Sequence, residues 1–190
     1  MRYLIATASV SPGNVAPDSV HLGLYESGEP PALVKQATAD NLQGAAAIIT
    51  DDVIDDGVID SADERWVQRF AQQYLAFDWF SGAGPFDKHL KVFAEDFDSC
   101  GVAQTVRLHF YLAPDALAFS AGYQTDADGK GMELTIFPDV NGDKQIDYVD
   151  AQLVRQLALN FLALRWYGTH EHTFCQLQLF GAGGKHGLHQ

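Results

Sequence analysis

Two twelve-residue stretches decide how this 190-residue chain reads. They are Asp52-Val53-Ile54-Asp55-Asp56-Gly57-Val58-Ile59-Asp60-Ser61-Ala62-Asp63 and Asp139-Val140-Asn141-Gly142-Asp143-Lys144-Gln145-Ile146-Asp147-Tyr148-Val149-Asp150. At a constant offset of 87, residues 48–80 and 135–167 share twelve identities in 33 positions. Ordinary composition would give roughly two. Four of the matches are aspartates: Asp52, Asp56, Asp60 and Asp63 against Asp139, Asp143, Asp147 and Asp150. Others are apolar or aromatic, among them Val53 with Val140, Ile59 with Ile146, Val67 with Val154 and Trp79 with Trp166. Upstream the likeness is fainter: Ser19–Tyr25 resembles Thr105–Tyr111 with one residue of slippage. The chain therefore carries an internal repeat.

Outward from the acidic stretches, each half reads alike. Tyr3–Val10 and Leu90–Phe97 are apolar-rich strands, and Ser19–Glu26 and Thr105–Ala113 alternate with the period of half-buried strands. Further strands are expected at Ala32–Thr38, Leu117–Gln124, Gly44–Thr50 and Gly131–Phe137. A helix follows each acidic stretch. Trp66, Phe70, Tyr74 and Phe77 lie at helical spacing in the first, and Leu153, Leu157, Phe161 and Leu164 hold the same places in the second. Leu159, Leu162 and Ala163 make the second helix apolar nearly all round, so it is expected to be the more buried. Gly82 and Gly168 are expected to end the two helices. Thr173–Phe180 reads as a final strand.

The expected fold is α+β: two tandem pseudo-symmetric repeats, each of about four antiparallel strands, an acidic loop and one helix, plus a C-terminal strand. Repeat one spans 1–82 and repeat two 88–168, with 169–190 as C-terminal strand and tail, all in one integrated globular unit.

Composition sets limits on function. Apolar residues make up 47% and charged residues 19%, which is globular rather than disordered composition. A net charge of −13 and the lack of a basic patch argue against nucleic acid as a partner. No apolar run approaches the roughly 18–20 residues that cross a bilayer. Residues 1–8 read as a strand and not as an export signal. Cys100 and Cys175 sit at non-equivalent places in the two halves and read as free, part-buried thiols.

The spacing within the loops suits one chemistry. Calcium takes six to eight oxygen ligands, and a twelve-residue loop supplies them from its first, third, fifth, seventh (main-chain), ninth and twelfth positions. In the second stretch these are Asp139, Asn141, Asp143, the Gln145 carbonyl, Asp147 and Asp150. Ile146, at the eighth place, is expected to anchor the loop in the core. In the first stretch Asp52, Asp56, the Val58 carbonyl, Asp60 and Asp63 remain, with Ile54 in the third place and Asp55 as a substitute through water. At the sixth place Gly57 suits a positive φ, whereas Lys144 there costs about 1 kcal/mol of strain. The competing reading makes each loop a solvated acidic turn, with Asp60 and Ser61, or Asp147, capping the helix.

The run Asp139–Asp150 closely resembles the calcium loops of dockerin modules, EF-hand relatives that close on Asp. As in those modules, no entering helix is recognisable, so the unit reads as strand–loop–helix. The resemblance covers the two loops and the helix starts, about a quarter of the chain. It implies calcium binding, and it does not extend to cohesin recognition, because the intervening strands are unlike a dockerin.

Other candidates are weaker. His170, His172, His186 and His189 form the only histidine cluster and read as a polar terminus rather than a transition-metal site. His21, His89 and His109 lie on strands. Asp126–Gly131 fits a hairpin turn. Neither Gly82-Ala83-Gly84 nor Gly181–Gly184, where His186 follows Lys185 in place of Ser or Thr, matches a phosphate loop, and no Gly-x-Ser-x-Gly elbow is present.

The function read from the residues is a calcium-binding structural, adhesion or assembly module, more readily non-enzymatic than enzymatic. A calcium-stabilised hydrolase, or a calcium-dependent carbohydrate binder using exposed Trp66, Trp79 or Trp166, are the alternatives. The helical spacing of these tryptophans points to burial. Closure by Asp suits extracellular calcium, and an extracellular or periplasmic setting follows if a signal has been removed. Oligomeric state and partner protein are not encoded in any motif.

Overall fold

A computed structural model of the chain describes residues 1–80, 88–97, 101, 103–125, 132–134, 138–164 and 166–167. Strands β1 (Arg2–Ser9), β2 (Ser19–Glu26), β3 (Ala32–Asp40) and β4 (Ala47–Thr50) precede helix α1 (Ser61–Leu75) and a 3-10 turn at Asp78–Phe80. Strands β5 (His89–Phe97), β6 (Ala103–Ala113), β7 (Ala116–Thr125) and the three-residue β8 (Met132–Leu134) precede helix α2 (Tyr148–Ala163).

All strands join one antiparallel sheet in the order β4-β3-β2-β1-β5-β6-β7-β8. This corrects the expected architecture. The fold is a single, sheet-dominated layer with two helices, not two tandem repeats each closed by its own sheet and helix. The physical reason lies at the centre. β1 and β5 pair in register (Tyr3 with Phe93, Leu4 with Val92, Ala6 with Leu90), so the two strands that would have been exposed edges satisfy each other's backbone groups. Local sequence reveals a strand's alternation but not which distant strand it pairs with.

Alternation then sets the faces. Leu4 and Ala6, Val20, Leu22 and Leu24, Leu90 and Val92, and Val106, Leu108 and Phe110 are all buried on one face. Helix α1 lies over β2, β3 and β4, α2 lies over β6 and β7, and the helices touch each other. Trp66, Phe70, Leu157 and Phe161 belong to the same core cluster as the strand residues. Across the helix pair, the Trp66 indole donates to the Asn160 carbonyl at 2.8 Å.

α2 is only marginally the more buried helix: it buries one face and leaves Leu159, 42% exposed, in solvent. The helices end at Ala76 and Leu164, both in right-handed helical conformation, short of the glycines expected to stop them. Gly82, Gly168 and the expected strand Thr173–Phe180 lie outside the described residues.

Two buried polar anchors tie loops and helices to the sheet. Asp18, fully buried, accepts from the Ser11 N–H at 2.8 Å and the Asn14 side-chain amide at 2.6 Å, closing the β1–β2 loop. The Ser11 N–H above all holds its carboxyl below the usual carboxylate range, against the opposing effect of burial. The Tyr74 hydroxyl donates to the Ala6 carbonyl at 3.1 Å, pinning α1 to β1, and burial pushes this phenol well above its ordinary pKa. Tyr74→Phe removes that donor and is expected to cost about 1–2 kcal/mol, lowering the melting midpoint by roughly 3–6 °C. An unchanged midpoint would show that the bond adds nothing to stability.

Candidate metal centre

Both acidic stretches occupy the link between sheet and helix, running straight into α1 and α2. Their second residues, Val53 and Val140, are fully buried and fasten each loop to the core. Ile146 is not the core anchor expected of it: it is 66% exposed, and Ile59 at the same place in the first loop is 63% exposed. Each immediately precedes the helix cap and stands in solvent, so the fully buried apolar anchor of each loop is its second residue.

The backbone of the two loops follows the same path. The fourth and sixth positions are left-handed in each: Asp55 (φ 64°) and Gly57 (φ 90°) in the first, Gly142 (φ 76°) and Lys144 (φ 68°) in the second. Each loop thus has one glycine and one strained residue at its two left-handed places.

The first aspartate organises each turn. Asp52 accepts from the Asp56 and Gly57 N–H groups at 3.1 and 2.9 Å, and Asp139 from those of Gly142 and Lys144, both at 2.7 Å. The fifth-position side chains accept from the seventh-position N–H groups, Asp56 from Val58 at 3.0 Å and Asp143 from Gln145 at 2.8 Å. The third place differs. Asn141 accepts from the Asp143 N–H at 2.9 Å and donates its side-chain amide to Asp143 Oδ2 at 3.2 Å, while Ile54 can do neither.

The ninth and twelfth positions form capping boxes. Asp60 caps α1, accepting from the Ala62 N–H at 2.6 Å, and Asp147 caps α2, accepting from Val149 at 2.7 Å. Asp63 and Asp150 return a bond to the N–H of their caps, each at 3.0 Å. Both are fully buried, and their other oxygen accepts from the loop's start: Asp63 from Ile54 at 3.1 Å, Asp150 from Val140 at 2.8 Å and Asn141 at 3.2 Å. Three N–H bonds use most of the roughly four lone-pair sites of the Asp150 carboxylate. Among the described residues, no three carboxylate, histidine or cysteine side chains converge as a metal-holding group. The capping function of these aspartates is therefore directly visible. Their side-chain donors are all hard oxygens, the type that calcium accepts.

Lys35, on β3, was missed by sequence reasoning. Its ammonium bonds to the Asp52 carbonyl, lies 2.5 Å from Asp55 Oδ1 and stands 3.9 Å from Asp52 Oδ2. Regular pairing from Val20 with Ala39 to Leu24 with Lys35 sets the lysine in step with the buried Ala37 and Ala39, and the register shifts only beyond it, where Tyr25 faces Leu33. A single lysine alternating in phase with inward alanines was the available signal.

Other candidates resolve simply. His21 bonds to the Ser9 and Thr38 hydroxyls at 3.3 and 3.2 Å, and His89 stacks on Tyr111 with centroids 4.6 Å apart. Burial, and then the Lys91 charge, hold the His109 imidazole below its ordinary pKa. Trp66 and Trp166 are buried and Trp79 half-buried, so the first two offer no sugar-stacking surface. His170, His172, His186, His189, Cys100, Cys175 and the Asp126–Gly131 turn lie outside the described residues. No helix among the described residues is long and apolar enough to cross a membrane. No protein-family model matches this chain, and neither does any curated protein or solved structure.

Lys144→Gly relieves the left-handed strain at the sixth place of the second loop. It is expected to raise stability by roughly 0.5–1 kcal/mol, or about 2–3 °C in the melting midpoint. A loss of stability would mean that the lysine side chain contributes more than its backbone costs.

Proposed function

We propose that this chain is a calcium-binding structural module, with residues 139–150 as its principal site. The observation that carries this reading is the second loop itself. Side-chain oxygens of Asp139, Asn141, Asp143, Asp147 and Asp150 stand at calcium-loop spacing on a backbone that is left-handed at the fourth and sixth places. The Gln145 carbonyl is the main-chain donor of the set. The likeness to dockerin-type loops supports the same reading.

Electrostatics gives the metal its purpose. Asp139, Asp143, Asp147 and Asp150 fall within twelve residues, and none of them forms an ion pair with a described residue. Their mutual repulsion opposes the folded loop, and a divalent cation removes it. Backbone N–H groups already hold Asp139, Asp143 and Asp150 in the turn, so binding would draw oxygens together with little further ordering. The loop connects the sheet to α2, so stabilising it stabilises the attachment of that helix. Such a module serves adhesion or assembly by holding its shape where calcium is plentiful.

The test is a thermal melt of chelator-treated protein with and without about 1 mM calcium. For an affinity of about 10 µM, linkage gives roughly 2.7 kcal/mol of stabilisation and a rise of about 5–10 °C. Asp143→Ala should abolish most of that rise. No shift in the wild-type protein would reduce the second loop to a helix-capping turn.

A further inference from the structure

We infer that Lys35 is a built-in cation that stands in for the metal in loop 52–63, so that the chain takes one calcium ion and not two. The inference rests on the reading of loop 139–150 as a calcium site and extends it to the division of labour between the loops.

The two loops share their backbone path and their capping boxes, yet their charges are balanced differently. In the first, the Lys35 ammonium is seated against the loop's opening residue and its fourth residue together. It bonds to the Asp52 carbonyl and to Asp55 Oδ1 at 2.5 Å, with Asp52 Oδ2 at 3.9 Å. The lysine side chain is only 15% exposed, so this is a seated charge and not a mobile surface pair. The strand positions it: β3 pairs with β4, and Asp51 follows β4 with its N–H bonded to the Gln36 carbonyl at 3.0 Å. Lys35 therefore lies beside the loop entrance by sheet geometry. The Asp51 carboxylate accepts from the Gln36 N–H at 2.7 Å, which fastens the same junction a second time.

The sequence of the first loop fits a site that has given up its metal. Ile54 replaces the third-position oxygen that Asn141 supplies in the second loop, leaving too few side-chain donors for a hard cation. Asp55, at the fourth place, instead aims a carboxylate at the lysine, although this costs a left-handed backbone (φ 64°) at a residue with a side chain. In the second loop that place is Gly142. In the second half, Phe119 opposite Phe110 on β7 holds the place that Lys35 holds opposite Leu24 on β3, and it carries no charge. An ammonium supplies one positive charge with no geometric demand, whereas calcium supplies two and needs six or more oxygens. The first loop has a seated ammonium and one side-chain oxygen ligand fewer, whereas the second has the fuller oxygen set and its own Lys144 forms no ion pair with a described residue.

The test uses the full chain, dialysed against chelator, as wild type, Lys35→Met, Lys35→Gln and Asp143→Ala. Calcium is titrated calorimetrically, and each protein is melted with and without calcium. One ion per wild-type chain is expected, lost in Asp143→Ala. Lys35→Met and Lys35→Gln should each melt about 3–5 °C lower in chelator, recover part of the loss in calcium, and show a second, weaker binding event. Two ions in the wild type would overturn the inference. So would lysine variants whose lower midpoint calcium does not restore, because Lys35 would then be an ion pair and nothing more. Variants as stable as wild type in chelator would overturn it too. Failure of the parent reading has a separate signature. The wild type would bind no calcium, and a single binding event gained by the lysine variants would still establish Lys35 as the stand-in. If no variant binds calcium, both readings fall.

Discussion

Everything at the helix-bearing face depends on two buried carboxylates, Asp63 and Asp150. Each is fully shielded from water, and each is bonded both to the cap of its helix and to backbone N–H groups at the start of its loop. An unpaired charge at such a place would cost several kcal/mol. Charge-assisted bonds from two or three N–H groups offset that cost, each worth about 1.5–3 kcal/mol. The positive end of the helix dipole adds to them. The consequence is geometric. The loop cannot open without uncapping the helix, and the helix cannot shift without exposing the carboxylate.

These junctions sit on a sheet that is continuous from β4 to β8. Because β1 pairs with β5, the two helices pack against one layer and against each other, with Trp66 of α1 bonded to the Asn160 carbonyl of α2. Trp166, just beyond α2, is stacked by the Arg2 guanidinium at 4.6 Å from its ring centroid and lies 5.7 Å from the Lys35 ammonium. The lysine that balances the first loop thus touches the chain that leaves the second helix.

Much of this was legible in the sequence, and what was not has identifiable causes. Alternation located β1, β2, β3, β5, β6 and β7 to within a residue or two, while β4 starts three residues later than expected, since burial on one face writes a period of two into the side chains: Leu4 and Ala6, Leu22 and Leu24, Leu90 and Val92. The caps were legible because Asp60 and Asp63, or Asp147 and Asp150, stand at capping-box spacing. The strain expected of Lys144 is present as a positive φ. The joining of β1 to β5 was not legible, because pairing between strands more than 80 residues apart leaves no local mark, and so two repeat units were expected where one sheet exists. The anchoring role given to Ile146 failed for a related reason. The position is apolar, but Ile146 stands in solvent and Val140 is the buried apolar residue of the loop. Lys35 was missed because its partner loop comes to it across a hairpin, so that only its alternation in phase with Ala37 and Ala39 marks it in the sequence.

The most direct test of the account is anomalous diffraction from crystals grown in calcium, recorded at long wavelength. The account requires one calcium peak, inside loop 139–150, at about 2.3–2.6 Å from oxygens of Asp139, Asn141, Asp143 and Asp147. In the same crystals Lys35 should remain seated at loop 52–63, with no peak there. A peak at 52–63 with the lysine displaced, or no peak in either loop, would contradict it.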